Sequence, residues 1–241
     1  MQAKQDIAQV QFERHKDFAV RVEQFGNESQ TVVVIDNFLA DAEQLVDYIA
    51  ERPDFGEQDS LYPGVRAAAP KSYLMALYTY LPPILERVFG VDSQAITGVE
   101  SAYSLVTTPP DQLRIPQRIP HFDSTVPTEF AMIHFLCGAE HGGTSVYRHR
   151  DTGFEHVDDA RYPAYMASLE AAIREGREPP PAYINGDTEL FERTGSFDAA
   201  FNRLLLYRCP ILHSGNIAED FNFDPNPRTG RLSLNTFLLN G

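Results

Sequence analysis

Tryptophan is absent from the sequence of 241 residues, cysteine occurs only twice, and the 20 basic residues are outnumbered by 34 acidic ones. The resulting net charge of −14 leaves no basic stripe for a nucleic acid or an anionic membrane, so we expect neither partner. No apolar run approaches the ~18 residues of a membrane-spanning helix. The N-terminal stretch 1–18 also lacks the apolar segment of a signal peptide, which favours a cytoplasmic location.

The residues that are abundant favour a β-rich core. The 17 prolines and 15 glycines are more than a helical bundle tolerates, whereas 16 Phe and 11 Tyr are ample for a core of normal density. Cys137 and Cys209 both lie in apolar, strand-like segments. Buried free thiols in a reducing compartment are therefore expected rather than a disulfide.

The order of patterns predicts one domain over residues 1–241. Its N-terminal part (1–98) contains a β-branched strand followed by helical patterns, and its remainder (99–241) contains short strands separated by Gly and Pro turns. We predict an α+β fold with a mainly β core, a jelly-roll double sheet on which the N-terminal helices pack. A helical insert at 151–200 joins two core strands and would be either a lid or an interface.

A possible metal site begins in the segment "PHFDS". His121 and Asp123 are two positions apart, so in an extended segment their side chains lie on the same side. His213, at the end of the apolar run "LLLYRCPILHSG", is positioned to be a third ligand. Two histidines and one carboxylate with open positions form the metal centre of non-haem Fe(II) oxygenases.

Arg231 and Ser233 share a face of the final predicted strand, in "GRLSLNTFLLN". A guanidinium fork with a nearby hydroxyl suits a carboxylate ligand. The sequence thus contains three polar motifs in the order "HFD", "ILHSG", "RLS", each in or beside a different predicted strand.

In this order the sequence resembles the Fe(II)/2-oxoglutarate-dependent dioxygenase superfamily, and the segment "VVVIDNFLADAEQLVDYI" is similar to the strand–helix opening of its prolyl-4-hydroxylase-like branch. The resemblance implies a double-stranded β-helix, with Fe(II) bound by the two histidines and the aspartate of the triad. It also implies that Arg231 and Ser233 hold the distal carboxylate of 2-oxoglutarate, helped by a tyrosine from an early core strand, either Tyr103 or Tyr147. The implied reaction is hydroxylation of an unactivated C–H bond in an amino-acid, peptidyl or other small-metabolite substrate.

One departure from the superfamily concerns the arginine. Members usually have roughly ten residues between the distal histidine and the arginine, whereas seventeen separate His213 from Arg231 here. The surplus is interpreted as a turn extended at its tip, which strand pairing tolerates. Arg228 is then a rival, but we prefer Arg231 because it lies within the alternating strand.

The sequence also allows other interpretations of its histidines and of its function. His134 lies in the middle of an apolar strand, where a hydrogen-bonded core histidine is expected. His141 and His149 flank a Gly-Gly turn and would suit a cupin-like metal site that does not use 2-oxoglutarate. A non-catalytic jelly-roll binding module is a further alternative. The sequence leaves the substrate and the oligomeric state undetermined.

Overall fold

The computed structural model describes residue 7 and residues 10–52, 54–56 and 61–240. Within these ranges the chain forms ten strands: β1 (Ala19–Phe25), β2 (Gln30–Asp36), β3 (Gly64–Ala68), β4 (Gly98–Val106), β5 (Phe130–Phe135), β6 (Gly143–His149), β7 (Phe191–Asp198), β8 (Arg203–Arg208), β9 (His213–Asn216) and β10 (Leu232–Leu239). The predicted mainly β character is confirmed.

The strands form two antiparallel sheets. The major sheet has seven strands in the order β1-β2-β8-β5-β10-β4-β3, and the minor sheet has three in the order β7-β6-β9. Side chains of both sheets pack together in one buried cluster, among them Val34, Phe135, Val146 and Phe197. The fold is therefore a β-sandwich. The N-terminal part does more than support it, because β1, β2 and β3 all belong to the major sheet.

The register of β4 and β10 decides which side chains face the minor sheet. Ser104 lies opposite Ser233, and Tyr103 lies opposite Leu234. Opposed residues of an antiparallel pair share a face, and neighbouring residues along a strand face opposite ways. Tyr103 and Leu234 belong to the core cluster on the helix side. Ser104 and Ser233 consequently face the inside of the sandwich.

Helices cover the outer face of the major sheet. They are α1 (Glu43–Glu51), α2 (Lys71–Tyr80) and α3 (Pro82–Ile84), the last continued by a π-helical turn. Gly90, at φ +66°, ends this segment in the left-handed conformation that glycine favours. Helix α1 begins after Ala42 without a side-chain cap. No described helix is long and apolar enough to cross a membrane.

The insert is shorter than predicted. Its helix, α4 (Tyr162–Arg174), has Tyr165 buried and Ile173 41% exposed. Strand β7 lies within the predicted range 151–200 and pairs along β6. The C-terminal part of that range is thus a strand of the minor sheet rather than a removable insert. Cys137 and Cys209 are buried free thiols.

Candidate metal and carboxylate site

A cavity of about 310 Å³ opens between the two sheets. Its wall is formed by the inner face of the major sheet, by β9 and by the segment that carries His121 and Asp123. His213 and Arg231 line the same cavity. The structure therefore brings together the four charged or metal-ligating side chains that the sequence places on three separate segments.

Main-chain hydrogen bonds fix the three candidate metal ligands. The N–H of His121 donates to the carbonyl of His213 at 2.9 Å, and the N–H of His213 donates back at 2.8 Å. Two residues later, the N–H of Asp123 donates to the carbonyl of Cys209 at 2.9 Å. The ligand segment is thus held against the end of β8 and the start of β9, independently of any bound ion.

The side chains of these three residues converge. One ligand atom from each lies within 4.8 Å of the others. Asp123 Oδ1 is 3.7 Å from His121 Nε2, and Asp123 Oδ2 is 3.4 Å from His213 Nε2. His213 Nδ1 lies 2.9 Å from the carbonyl oxygen of Ile211, to which it donates. This bond fixes the tautomer and leaves the Nε2 lone pair directed at the site, as in other metal-ligating histidines.

The electrostatics of the group also suit a cation. Burial lowers the pKa of His121 to about 4, assisted by the neighbouring His213, and burial lowers the pKa of His213 to about 4. Burial raises the pKa of Asp123 to about 6, against the opposing charges of His121 and Arg66. His121 lines the open cavity, and 44% of its side chain is accessible. At neutral pH the group has two neutral imidazoles and one carboxylate whose negative charge is made unfavourable by burial. A divalent cation would stabilise that charge.

Metal affinity should depend on Asp123 before it depends on the histidines. Because the pKa of Asp123 is about 6 and those of His121 and His213 are about 4, acidification first protonates the carboxylate. We expect Fe(II) affinity to be constant above pH 7 and to fall about tenfold per pH unit below pH 6. Anaerobic calorimetry across this range measures it. A decrease in Fe(II) affinity that corresponds to the uptake of two protons and begins near pH 6.5, the ordinary pKa of histidine, would contradict this electrostatic description.

Arg231 is buried in the cavity wall, with 4% of its surface exposed. Its Nε donates to the carbonyl of His141 at 3.1 Å and its Nη2 to that of Gly143 at 2.6 Å. No ion pair joins it to a carboxylate in the part of the chain that the structure describes. A buried guanidinium without a carboxylate partner is a strong site for an anionic ligand.

The guanidinium of Arg231 lies close to the metal-ligating end of β9. Gly215 follows His213 by two residues on this strand, a rise of about 7 Å. A β-carbon at Gly215 would lie 3.4 Å from Arg231 Nη2. The guanidinium of Arg231 is thus displaced from the triad by about two residues along β9. This spacing suits a short dicarboxylate that reaches from a metal ion to the guanidinium.

Arg228, the rival arginine, lies elsewhere. Its side chain is 47% exposed and pairs with Asp47 on the surface. Ser233 faces the inside of the sandwich as predicted, but its hydroxyl donates to Asn235 Oδ1 at 2.8 Å. Arg231 and Asn235, rather than Ser233, are among the cavity-lining residues of this face.

Neither tyrosine predicted from the core strands reaches the cavity. The Tyr103 hydroxyl donates to the carbonyl of Leu45 in α1 at 2.9 Å, on the opposite face of the major sheet. Tyr147 packs with Tyr165 and Leu212 in a cluster between the minor sheet and the insert. The prediction that one of the two contacts 2-oxoglutarate is therefore corrected, because Tyr103 faces the helices and Tyr147 packs against the insert.

Three other tyrosines line the cavity within the described ranges, namely Tyr62, Tyr183 and Tyr207. Burial raises the pKa of Tyr62 to about 12 despite the nearby charges of Arg231 and Arg66, so it stays a neutral donor. Tyr183 comes from the insert, and its hydroxyl donates to the carbonyl of Thr108 at 2.7 Å. The insert thus contributes to the cavity wall, although its turn-rich sequence gives no signal for this tyrosine.

The remaining histidines of interest do not join the triad. His134 is fully buried on the helix side, stacked on Tyr73 and 3.1 Å from Asn202 Oδ1, as expected for a core histidine. His149 is buried against Tyr165, with Nδ1 2.9 Å from a threonine hydroxyl. His141 lies beside the exposed Glu140. The one group of three or more metal-ligating side chains among the described residues is that of His121, Asp123 and His213.

The chain belongs to the family described as "Family of unknown function (DUF6445)", which it matches over residues 16–238. No functionally curated protein gives a significant match. Among solved structures, the non-heme alpha ketoglutarate dependent carbocyclase SnoK from nogalamycin biosynthesis is 11% identical, with 87% of this chain and 79% of that chain covered and a TM-score of 0.47.

Two further solved structures are similar at the same low level. The N-substituted L-amino acid dioxygenase from Burkholderia ambifaria AMMD is 10% identical, with 91% of this chain and 94% of that chain covered and a TM-score of 0.42. EvdMO1 is 13% identical, with 92% and 56% covered and a TM-score of 0.34. The interpretation of the site therefore rests on the residues of this chain and not on these similarities.

Proposed function

We propose that this member of the DUF6445 family is an Fe(II)- and 2-oxoglutarate-dependent oxygenase that hydroxylates an unactivated C–H bond of a small molecule, on a double-stranded β-helix. The observation that carries the proposal is one cavity that contains both the His121–Asp123–His213 group and Arg231, a buried cation with no ion pair to a described carboxylate. The first feature suits a metal with open positions and the second suits a co-substrate carboxylate.

The triad fits Fe(II) by the chemistry of its donors. His121 and His213 present neutral imidazole nitrogens, and Asp123 supplies the single negative charge. Since all three also line the cavity, a metal ion that they held would be accessible to further ligands from the cavity. Iron and 2-oxoglutarate would supply the oxygen activation that C–H hydroxylation needs. The residues of the chain supply placement.

Arg231 would hold the distal carboxylate of 2-oxoglutarate. Its Nε and Nη2 are anchored on main-chain carbonyls, which fixes the plane of the guanidinium before a ligand arrives. Tyr62 lines the same cavity, where its hydroxyl already interacts with Ser233, and it would add a hydrogen bond to the carboxylate held by Arg231. Preorganised donors of this kind bind a carboxylate without the cost of ordering flexible side chains.

The same anchors favour a second candidate function. If the two carbonyl bonds of Arg231 serve only to tie β10 to the start of β6, the cavity would bind a metal without 2-oxoglutarate, as in cupin-like proteins. Aerobic incubation with Fe(II), a reductant and 2-oxoglutarate separates the two. The proposal expects slow conversion of 2-oxoglutarate to succinate that chelation of iron abolishes, whereas a cupin-like protein should bind the metal and form no succinate.

Tyr62→Phe and Tyr103→Phe form a matched pair that tests which tyrosine serves the co-substrate. We expect Tyr62→Phe to raise the 2-oxoglutarate concentration for half-saturation by several-fold, about the worth of one hydrogen bond to a charged group. Tyr103→Phe should leave this concentration unchanged and lower the melting temperature, because it removes only the bond to Leu45. The opposite pattern would restore the prediction made from sequence.

A further inference from the structure

Arg66 is a second cationic side chain in the wall of the same cavity. It lies on β3, the edge strand of the major sheet, opposite Ser104, which in turn lies opposite Ser233. Opposed residues share a face, so Arg66 points to the inside of the sandwich. Strand β4 lies between β3 and β10, so about 10 Å separates Arg66 from β10, which begins directly after Arg231.

The guanidinium of Arg66 has unused hydrogen-bonding capacity. Among the described residues its buried Nε has no hydrogen-bond partner, and its guanidinium carbon lies 5.7 Å from the centre of the Tyr62 ring. Within the described part of the chain, no carboxylate forms an ion pair with it. A buried N–H donor left without an acceptor is destabilising, and a ligand that supplies the acceptor removes this penalty.

Arg66 is not needed for the co-substrate as placed above. The triad and Arg231 account for the two ends of 2-oxoglutarate, and Arg66 lies on another strand. It nevertheless lines the same cavity as His121, Asp123 and His213. An anionic group bound at Arg66 would therefore belong to a molecule that lies beside the triad.

The remainder of the wall restricts what that molecule is. Val106, Phe122, Ile133, Ile217 and Phe237 give much of the lining an apolar character. The cavity of about 310 Å³ is at the small end of the range of about 300–1,000 Å³ for ligand pockets. Beside this apolar lining, a contact with the cationic Arg66 would fix the orientation of a ligand and favour a ligand with a negative charge.

We propose that the primary substrate is a small organic acid whose carboxylate binds Arg66 and whose apolar part lies along the cavity towards the His121–Asp123–His213 group. Arg66 is thereby a specificity-determining residue. This inference rests on the proposed oxygenase function and extends it to the class of substrate.

The test uses matched acids and amides as probes: 4-phenylbutanoate, octanoate and N-acetyl-L-leucine, each with its primary amide. Each probe is titrated into anaerobic protein that holds Fe(II) and 2-oxoglutarate, and the change in the visible spectrum is recorded. We expect at least one acid to bind about tenfold or more tightly than its amide. Binding of none of the acids, or equal binding of acid and amide, would overturn the inference.

Arg66 variants assign the preference to this residue. Arg66→Gln should weaken binding of the acid about tenfold while it leaves the amide and the half-saturating 2-oxoglutarate concentration within about twofold. Arg66→Lys should restore part of the acid binding, which a merely structural role would not do. Arg228→Gln, on the surface, is the matched control. An Arg66→Gln protein that melts normally but loses 2-oxoglutarate binding would assign Arg66 to the co-substrate and overturn the proposal.

Failure of the oxygenase function is distinguishable from failure of this inference. If the wild-type protein develops no visible band with Fe(II) and 2-oxoglutarate, the function proposed above is wrong. Calorimetric titration of the same acids and amides into metal-free wild-type and Arg66→Gln protein then still reports whether Arg66 selects a carboxylate. Equal affinities of the two proteins for the acids would reject the role of Arg66 by itself.

Discussion

His213→Ala should lower Fe(II) affinity by more than about a hundredfold, because even changes behind metal ligands cost 10- to 100-fold. His121→Ala and Asp123→Ala should have comparable effects, since each removes one of the three converging donor atoms. The fold should survive in all three, because main-chain hydrogen bonds hold the ligand segment. Anaerobic metal titration gives the affinity, and thermal melting reports the fold.

His141→Ala is the matched control for these variants. The carbonyl of His141 accepts from Arg231, but its side chain lies beside the exposed Glu140 and is not part of the metal-ligating group. Metal affinity should therefore stay within about twofold of the wild type. Loss of iron from His141→Ala or His149→Ala, with retention in His213→Ala, would place the metal at the cupin-like alternative.

Arg231→Gln should raise the 2-oxoglutarate requirement about 30-fold or more while Fe(II) affinity changes little. Truncation of one partner of a desolvated charge pair costs about 2–5 kcal/mol. Arg231 contacts none of the three ligands through a hydrogen bond, so the metal group should remain intact. The measurement is the half-saturating 2-oxoglutarate concentration at saturating Fe(II), in variant and wild type.

Arg228→Gln is the control for that experiment, and it tests the register of the long turn before β10. Its partner, Asp47, lies on the surface, so the variant should bind 2-oxoglutarate as the wild type does. A large effect of Arg228→Gln together with a small effect of Arg231→Gln would show that the seventeen-residue separation was assigned to the wrong arginine.

The metal-ligating group could be predicted because its signals are local. His121 and Asp123 sit two apart in an extended segment, and His213 ends an apolar strand, so their residue types and positions are visible without the fold. Arg231 could be preferred over Arg228 for the same reason, since alternation identifies the strand that it precedes.

The tyrosines could not be predicted, because their placement depends on register and on loops. Which face Tyr103 occupies follows from its pairing with Leu234, a long-range relation that alternation within one strand does not reveal. Tyr62 precedes β3 in an irregular segment, and Tyr183 lies in a turn-rich one. Their contacts with the cavity arise only when distant parts of the chain pack together.

Strand β7 was missed for a different physical reason. Its sequence, "FERTGSFD", is largely polar and half exposed, so it lacks the apolar alternation of the core strands. What makes it a strand is its partner, since β6 offers a free edge on the side opposite β9. Tertiary pairing overrides weak local preference at such positions.

Anaerobic titration of the protein with Fe(II) and then 2-oxoglutarate tests the central claim most directly. The claim predicts a weak visible charge-transfer band that saturates at one 2-oxoglutarate per iron, is absent from His213→Ala and requires far more 2-oxoglutarate in Arg231→Gln. A protein that binds Fe(II) through His121, Asp123 and His213 but develops no band with 2-oxoglutarate would contradict the claim and leave a metal site of the cupin-like kind.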